Sequence, residues 1–329
     1  MGFMSDQRYA AHHAAHHAAH LAAAEAASPA GAAGAATPAA GWARALSAAA
    51  LLFVPGDRPE RFDKAVAGSD LAILDLEAAV TDDAKAPARE NIRAWLEAGG
   101  VAAVRVNVPG SDEHVLDLAA LRGAPGVVAV VVPLAEDVDA LGLVAEQVGA
   151  PVIALVESAL GVDRARELAA ADAVVRLAFG SLDYSLDVDA VESRESLLFA
   201  RSTLVVASRV AGIAAPIDTV TTDVSPDGPV SSDAAHARGL GFSGKLCIHP
   251  AQVAAVRAAF RPDADEIAWA TRVLAATPSR GAVKVDGHMV DAPVLERARR
   301  VLARATPETS GPSGPSDAND PSGASKATR

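Results

Sequence analysis

Eight short apolar runs punctuate the middle of the chain, ending near Val54, Leu76, Val106, Val132, Val156, Phe179, Val220 and Ile248. Segments with helical patterning separate most of them, at 60–67, 87–98, 115–121, 137–148, 164–171, 197–211 and 233–239. After the last run Pro250 opens another helix, at a first helical position that suits proline. Runs this short and this continuously apolar read as parallel strands covered on both faces. Eight of them alternating with helices predict a (β/α)8 TIM barrel over residues 46–262. A doubly wound open sheet is the alternative, but no GxGxxG turn follows any of the runs.

Hydrophobic residues make up 50% of the chain and aromatics only 4%, so the core must be built mostly of Ala, Val and Leu. The net charge of −12 argues against nucleic acid as a main partner, while leaving room for a phosphorylated ligand on a local basic cluster. Cys247 is the one cysteine, so no internal disulfide forms. No apolar stretch is long enough to span a bilayer. The first residues lack the basic region and apolar core of a secretory signal, so a cytoplasmic location is the expectation.

The ends of the chain read differently. Residues 1–45 form an Ala/His-rich tail, expected to be disordered, in which His12, His16 and His20 recur at helical spacing. No carboxylate or cysteine accompanies them, so a solvated tail is preferred to a metal site. Pro29, Gly31, Gly34 and Pro38 break any helix there. Residues 263–305 read as a small C-terminal helical appendage: helix 263–276, segment 282–285, a turn at Asp286-Gly287, and helix 292–304. From Thr306, residues 306–329 are Ser/Gly/Pro-rich and expected to be disordered.

Active sites of such barrels sit at the carboxyl ends of the strands. Taken in order, those ends carry Arg58, Arg61 and Lys64; Asp75 and Glu77; Arg105 and Asn107; Glu157; Asp183; and His249. Two apolar runs that each stop at an acid, Glu157 and Asp183, offer hard oxygen ligands suited to Mg²⁺. The alternatives are a helix cap and a turn residue. Arg105 can offer its planar fork to a substrate carboxylate, or form a salt bridge to Asp75 or Glu77. Arg58 can face a carbonyl oxygen or phosphate, or be a solvated loop arginine. Lys64, Lys85 and Arg89 are candidates for an outer anionic group. Asn107 and His249 suit loop-holding hydrogen bonds, and Asp218 and Asp223 read as loop-structuring.

The segments LLFVPGDRPERFDKA, LAILDLEAAV, VRVN, PVIALVES, LAFGSLDY, TDVSPD and GFSGKLCIHPAQV, in this order, resemble the signatures of the HpcH/HpaI aldolase and citrate lyase beta-subunit superfamily. The similarity runs over about residues 48–303 and is greatest to the citrate-lyase-beta-like branch with malyl-CoA and citramalyl-CoA lyases. It implies a Mg²⁺-dependent C–C lyase that joins or splits an acyl-CoA and a 2-oxo acid, as a homotrimer or homohexamer. It assigns Glu157 and Asp183 to the metal, Arg105 to the oxo acid and Arg58 to the reacting carbonyl; Lys64, a candidate for an outer anionic group by its position, is then the expected cofactor-binding residue. DGHMVDAPVLERA resembles the appendage of that branch, and Asp291 in it matches an acid or base that reaches a neighbouring subunit's site. Without the resemblance, Asp291 reads as a helix N-cap. The chain departs from the family pattern at Ala78 and Leu182, where acids are usual. Two other readings stay open: an aldolase releasing pyruvate from a 4-hydroxy-2-oxo acid, and a non-catalytic ligand-binding homologue.

Overall fold

The computed structural model describes residues 38–276, 283–285 and 288–305. The chain divides after Phe260 into two compact units. In the first, eight parallel strands close into a barrel in sequence order: β1 (Ala50–Pro55), β2 (Leu71–Asp75), β3 (Ala102–Arg105), β4 (Val127–Val132), β5 (Val152–Val156), β6 (Val174–Phe179), β7 (Ala214–Asp218) and β8 (Gly244–Cys247). β8 pairs with β1 through Leu51 and Leu246, which removes the sheet edge. The expected (β/α)8 barrel is therefore present.

Side chains alternate across each strand with period two, so every strand contributes to two cores. Ala50, Leu52 and Val54 of β1 pack outward among the helices with Ile92, Leu96 and Phe62. Leu51, Leu71, Ile73, Ala103, Val131, Ile153, Leu155, Ala178, Ile217 and Leu246 fill the barrel interior. The same alternation decides what the barrel's mouth carries. Two residues beyond Ile73, Ala103 and Leu155 stand Asp75, Arg105 and Glu157, so the inward-facing row turns from apolar to charged at the carboxyl ends.

The connecting helices are ended by local chemistry. Ser111, Asp137 and Ser158 each accept a backbone N–H of the helix they precede. Gly149 and Gly212 leave their helices with φ of 79° and 77°, a left-handed conformation that glycine adopts without strain. Between β5 and β6 the single expected helix is two, Ala159–Asp163 and Ala165–Ala170, and a further helix, Ser181–Asp187, follows β6.

The folded part starts earlier than the expected boundary at residue 46. A helix, Pro38–Ser47, packs against β4 and β6. Pro38, expected to break a helix, is the first described residue of this one. Ala45 and Ala48 are buried against the interior cluster. Arg176 explains why this end of the helix is held. Its side chain is fully buried and faces the barrel interior's amino-terminal end, where Nη1 donates to Ala45 O at 3.2 Å and Ala48 O at 2.8 Å. Nε donates to Ala215 O at 2.7 Å and Nη2 to Ser243 Oγ at 2.8 Å. Burial pushes its pKa down to about 9, and it remains a cation at neutral pH. A cation at the carboxyl end of a helix is favoured by the helix dipole.

The second unit holds helices Ala264–Ala275 and Ala292–Ala305 and an antiparallel pair, β9 (Val283–Val285) and β10 (His288–Val290). Ala270, Val273, Val290, Ala298 and Val301 form its small core. Asp263 and Glu266 form a reciprocal capping box on the first helix. The His12/His16/His20 tail, the Asp286-Gly287 turn and residues 306–329 lie outside the described residues. No described helix is long and apolar enough to cross a membrane.

Arg176→Met is expected to strand two buried carbonyls, Ala45 O and Ala48 O, since Ala215 O keeps the Ser243 hydroxyl, and to lower stability by roughly 2 kcal/mol or more, at ~1–3 kcal/mol per unsatisfied group. Urea unfolding followed by circular dichroism measures this; an unchanged midpoint would show that the helix needs no such anchor.

Candidate active site at the barrel mouth

Asp75 ends β2 with no exposed surface and receives Arg105 from the neighbouring strand. Arg105 Nε and Nη2 each reach one Asp75 oxygen at 2.7 Å, a fork-on-fork pair. Arg105 Nη1 lies 2.9 Å from Glu77 Oε2, and the guanidinium stacks 4.4 Å over the ring of Phe53. Burial disfavours its charge, but Asp75 and Glu77 outweigh that and push its pKa above the ordinary value. Asp75 also accepts the backbone N–H groups of Glu77 and Ala79, which shapes the turn after β2. The salt-bridge alternative for Arg105 is thus realised with both acids. Of its five N–H donors, three are spent on these contacts.

Glu157 projects from the end of β5 and is 8% exposed. One oxygen accepts Leu134 N–H at 2.7 Å. Leu134 has φ of 46°, uncommon for a side chain of its size, and that strained backbone aims the N–H at the carboxylate. On its other side lies Gly180. A Cβ there would sit 2.5 Å from Glu157 Oε2 and 2.7 Å from its Cβ, so glycine is required for this close approach. Burial pushes the Glu157 pKa up to about 7; Leu134 N–H opposes this, Asp183 and Glu77 add to it, and Arg105 opposes it. Glu77 is also raised, first by burial, against the pull of Arg105.

Asp183 lies in the first turn of helix Ser181–Asp187, exposed, and interacts electrostatically with both Glu157 and Glu77. The start of that helix is pinned from β7's side: Ser181 N–H and Oγ meet Thr219 Oγ1 at 3.2 and 2.8 Å, and Ser181 Oγ also bonds Glu192. Among the described residues, Asp75, Glu77 and Glu157 act on the Arg105 guanidinium and Asp183 acts on Glu157 and Glu77, and the balance of charge is negative. Oxygen-only donors with excess negative charge fit a hard divalent cation. No group of three or more His, Cys, Asp or Glu forms a ready-made cage among the described residues.

The other candidates fall elsewhere. Arg58 is 55% exposed in the loop after β1, with Asp57 at 3.7 Å. Lys64 is exposed on helix Phe62–Gly68. Neither is joined to the acidic cluster by a contact. Asp291 belongs to the second unit, where its side chain caps helix Ala292–Ala305 by accepting Val294 N–H at 3.2 Å. Lys85 and Arg89 do not meet an outer anion: both are buried, bonded to Asn107 and Glu113 respectively. Asn107 does hold its loop, donating to Leu76 O at 2.9 Å. Asp218 is buried between Arg201, at 2.8 Å, and Lys245, at 3.6 Å, and Asp223 accepts from Ser225. Gly180 was legible only as a glycine directly after a strand. Nothing in the sequence marks Leu134.

Residues 49–250 match the HpcH/HpaI aldolase/citrate lyase family. A citrate lyase subunit beta-like protein of Mycobacterium tuberculosis is 39% identical over 267 residues, covering 79% of this chain and 96% of the relative. The citrate lyase beta subunit of Escherichia coli K12 is 35% identical over 281 residues, covering 78% and 92%. A crystal structure of CitE from M. tuberculosis with magnesium, acetoacetate and coenzyme A superposes with a TM-score of 0.71 at 37% identity, covering 80% of this chain and 99% of that one.

The raised Glu157 pKa has a sign that can be tested on metal-free protein. The folded state holds a proton between pH 4.5 and about 7 that the unfolded state has lost, so this group's effect on stability worsens as pH rises through that window. Glu157→Gln keeps the acceptor for Leu134 N–H and removes the charge. It is expected to raise stability by ~1–3 kcal/mol at pH 8 and to change little at pH 4.5. Thermal unfolding in EDTA at the two pH values reads this; equal effects at both would contradict it.

Proposed function

We propose that this chain, a lyase belonging to the HpcH/HpaI aldolase/citrate lyase family, is a Mg²⁺-dependent enzyme that cleaves or forms a 3-hydroxyacyl-CoA of the malyl-, citramalyl- or citryl-CoA type. The observation that carries the reading is Glu157. Its buried carboxyl, aimed by Leu134 N–H at 2.7 Å and crowded by Gly180, stands near Asp183 and Glu77 where excess negative charge favours a divalent cation. Relatives that share the fold are named as complexes with magnesium, acetoacetate and coenzyme A, and with oxaloacetate and magnesium.

Glu157 and Asp183 hold the cation in this reading. When bound, Mg²⁺ supplies Lewis-acid polarisation of the 2-oxo group. Arg105 keeps two N–H donors beyond its contacts to Asp75 and Glu77, and these hold the carboxylate of the oxo acid. Phe53 beneath the planar guanidinium covers one of its faces and shields it from water. Arg58, exposed on the loop after β1, offsets charge on the thioester enolate oxygen as the C–C bond breaks. Lys64 meets the cofactor's outer phosphates. Asp291, exposed at its helix start, moves the proton in a neighbouring subunit's site of a homotrimer or homohexamer. A cytoplasmic setting accords with an acyl-CoA substrate.

Purified protein with Mg²⁺ is expected to release a 2-oxo acid and an acyl-CoA from a 3-hydroxyacyl-CoA, and to leave 4-hydroxy-2-oxo acids intact. Glu157→Ala should lower kcat/KM by about 10³-fold or more, several kcal/mol of lost charge stabilisation. Turnover of the 4-hydroxy-2-oxo acids alone would replace the reading with the aldolase one. Normal turnover by Glu157→Ala would remove the metal assignment.

A further inference from the structure

Behind the acidic rim, outside the barrel wall, lies a buried polar cluster that the proposed reaction does not use. Lys85 opens helix Lys85–Glu97 and is 7% exposed. Its ammonium donates to Leu76 O at 3.0 Å, Glu77 O at 3.1 Å and Asn107 Oδ1 at 2.7 Å. All three of its N–H bonds are thereby used. Asn107 is fixed in turn. Its Nδ2 donates to Leu76 O at 2.9 Å and Asp117 Oδ2 at 2.7 Å, and its backbone N–H reaches the same Asp117 oxygen at 2.7 Å. Its backbone oxygen meets His114 Nδ1 at 2.8 Å. Asp117 has no exposed surface and lies 3.6 Å from Arg89 Nε, while Arg89 pairs with Glu113.

The cluster therefore joins two particular places. Leu76 and Glu77 directly follow β2, and Asn107 stands two residues beyond Arg105 of β3. Leu76 N–H also donates to Arg105 O at 2.9 Å. Lys85 reinforces those two links from a third side: it grips the carbonyls that flank Glu77, those of Leu76 and Glu77, and the side chain of Asn107. Glu77, carried on that gripped backbone, lies 2.9 Å from Arg105.

We propose that Lys85 is a positioning residue for oxo-acid binding: through Asn107 and the Leu76 and Glu77 carbonyls it fixes the spacing of Glu77 and Arg105, and so the direction of the free Arg105 donors. The inference rests on the proposed function, since it takes Arg105 to hold the oxo acid's carboxylate. It also separates two halves of the site. Glu77 comes from the turn after β2 and Arg105 from the end of β3, which Lys85 ties together. Glu157 and Asp183 come from β5 and the helix after β6, which it does not touch. Loss of Lys85 should weaken oxo-acid binding and leave Mg²⁺ binding alone, a split that general destabilisation would not produce.

The test is calorimetric titration of the full chain, first with Mg²⁺ alone and then with pyruvate or oxaloacetate in saturating Mg²⁺. Lys85→Met keeps the side-chain volume and removes the donors. It is expected to raise the oxo-acid Kd by about 10- to 100-fold, as misplaced binding groups do, with the Mg²⁺ Kd unchanged. Lys85→Ala with added ethylamine should recover oxo-acid affinity as the amine concentration rises. If one variant fails to fold, the other gives the reading. An unchanged oxo-acid Kd in Lys85→Met, a parallel fall in Mg²⁺ affinity, or no recovery with ethylamine would overturn the proposal. Wild-type protein that binds neither oxo acid would instead remove the functional reading beneath it.

Discussion

The mouth of this barrel depends on the pairing of Arg105 with Asp75. Both face inward because strand side chains alternate, and at the ends of β2 and β3 the inward position has run out of apolar core. Taking two charges out of water is unfavourable, and a buried pair is weak evidence for stability. Removing one partner is another matter, because the other is left buried and unpaired, at ~3–5 kcal/mol. The pair thus fixes the guanidinium's plane. From that plane Arg105 reaches Glu77 and lowers the charge penalty on Glu157. Glu157 in turn is crowded by Gly180 and steered by Leu134 N–H, so its carboxylate has little freedom of its own.

Buried lysines support the rim from outside on two of its sides. Lys85 ties the turn after β2 to Asn107 beyond β3. Lys245 of β8 donates to Thr219 O at 2.7 Å, just past β7, and lies 3.6 Å from Asp218. Burial pushes the Lys245 pKa down, and Asp218 opposes it. Thr219 then holds Ser181, two residues before Asp183. The turn that carries Glu77 and the helix start that carries Asp183 are therefore each tethered by side chains from a neighbouring element. Such tethering is what keeps a site on loops within the tolerance that chemistry requires.

Much of this was legible in the sequence because barrels write their period plainly. Eight apolar runs marked the strands, and charged residues at or just past the ends of the second, third, fifth and sixth runs marked the acidic rim. The helix Pro38–Ser47 was not legible, since its Ala-rich segment resembles the low-complexity stretch before it. What distinguishes it is Arg176, over a hundred residues away, which holds its last carbonyls. Lys85 and Arg89 read as surface cations because a helix position does not reveal a buried Asn107 and Asp117 behind it. Arg105 was visible as a fork, but whether acids of its own chain fill that fork depends on the register between β2 and β3. Leu134 carried no signal, because a backbone N–H has no letter in the sequence.

The central claim is that Glu157 and Asp183 form one cation site facing the donors of Arg105. Crystals grown with Mn²⁺ in place of Mg²⁺ and with a 2-oxo acid would test it by anomalous scattering. The account predicts one strong peak bonded to an oxygen of each carboxylate, with the oxo acid's carboxylate on Arg105. An ordered oxo acid with no peak between Glu157 and Asp183, or a peak held by other residues, would contradict it.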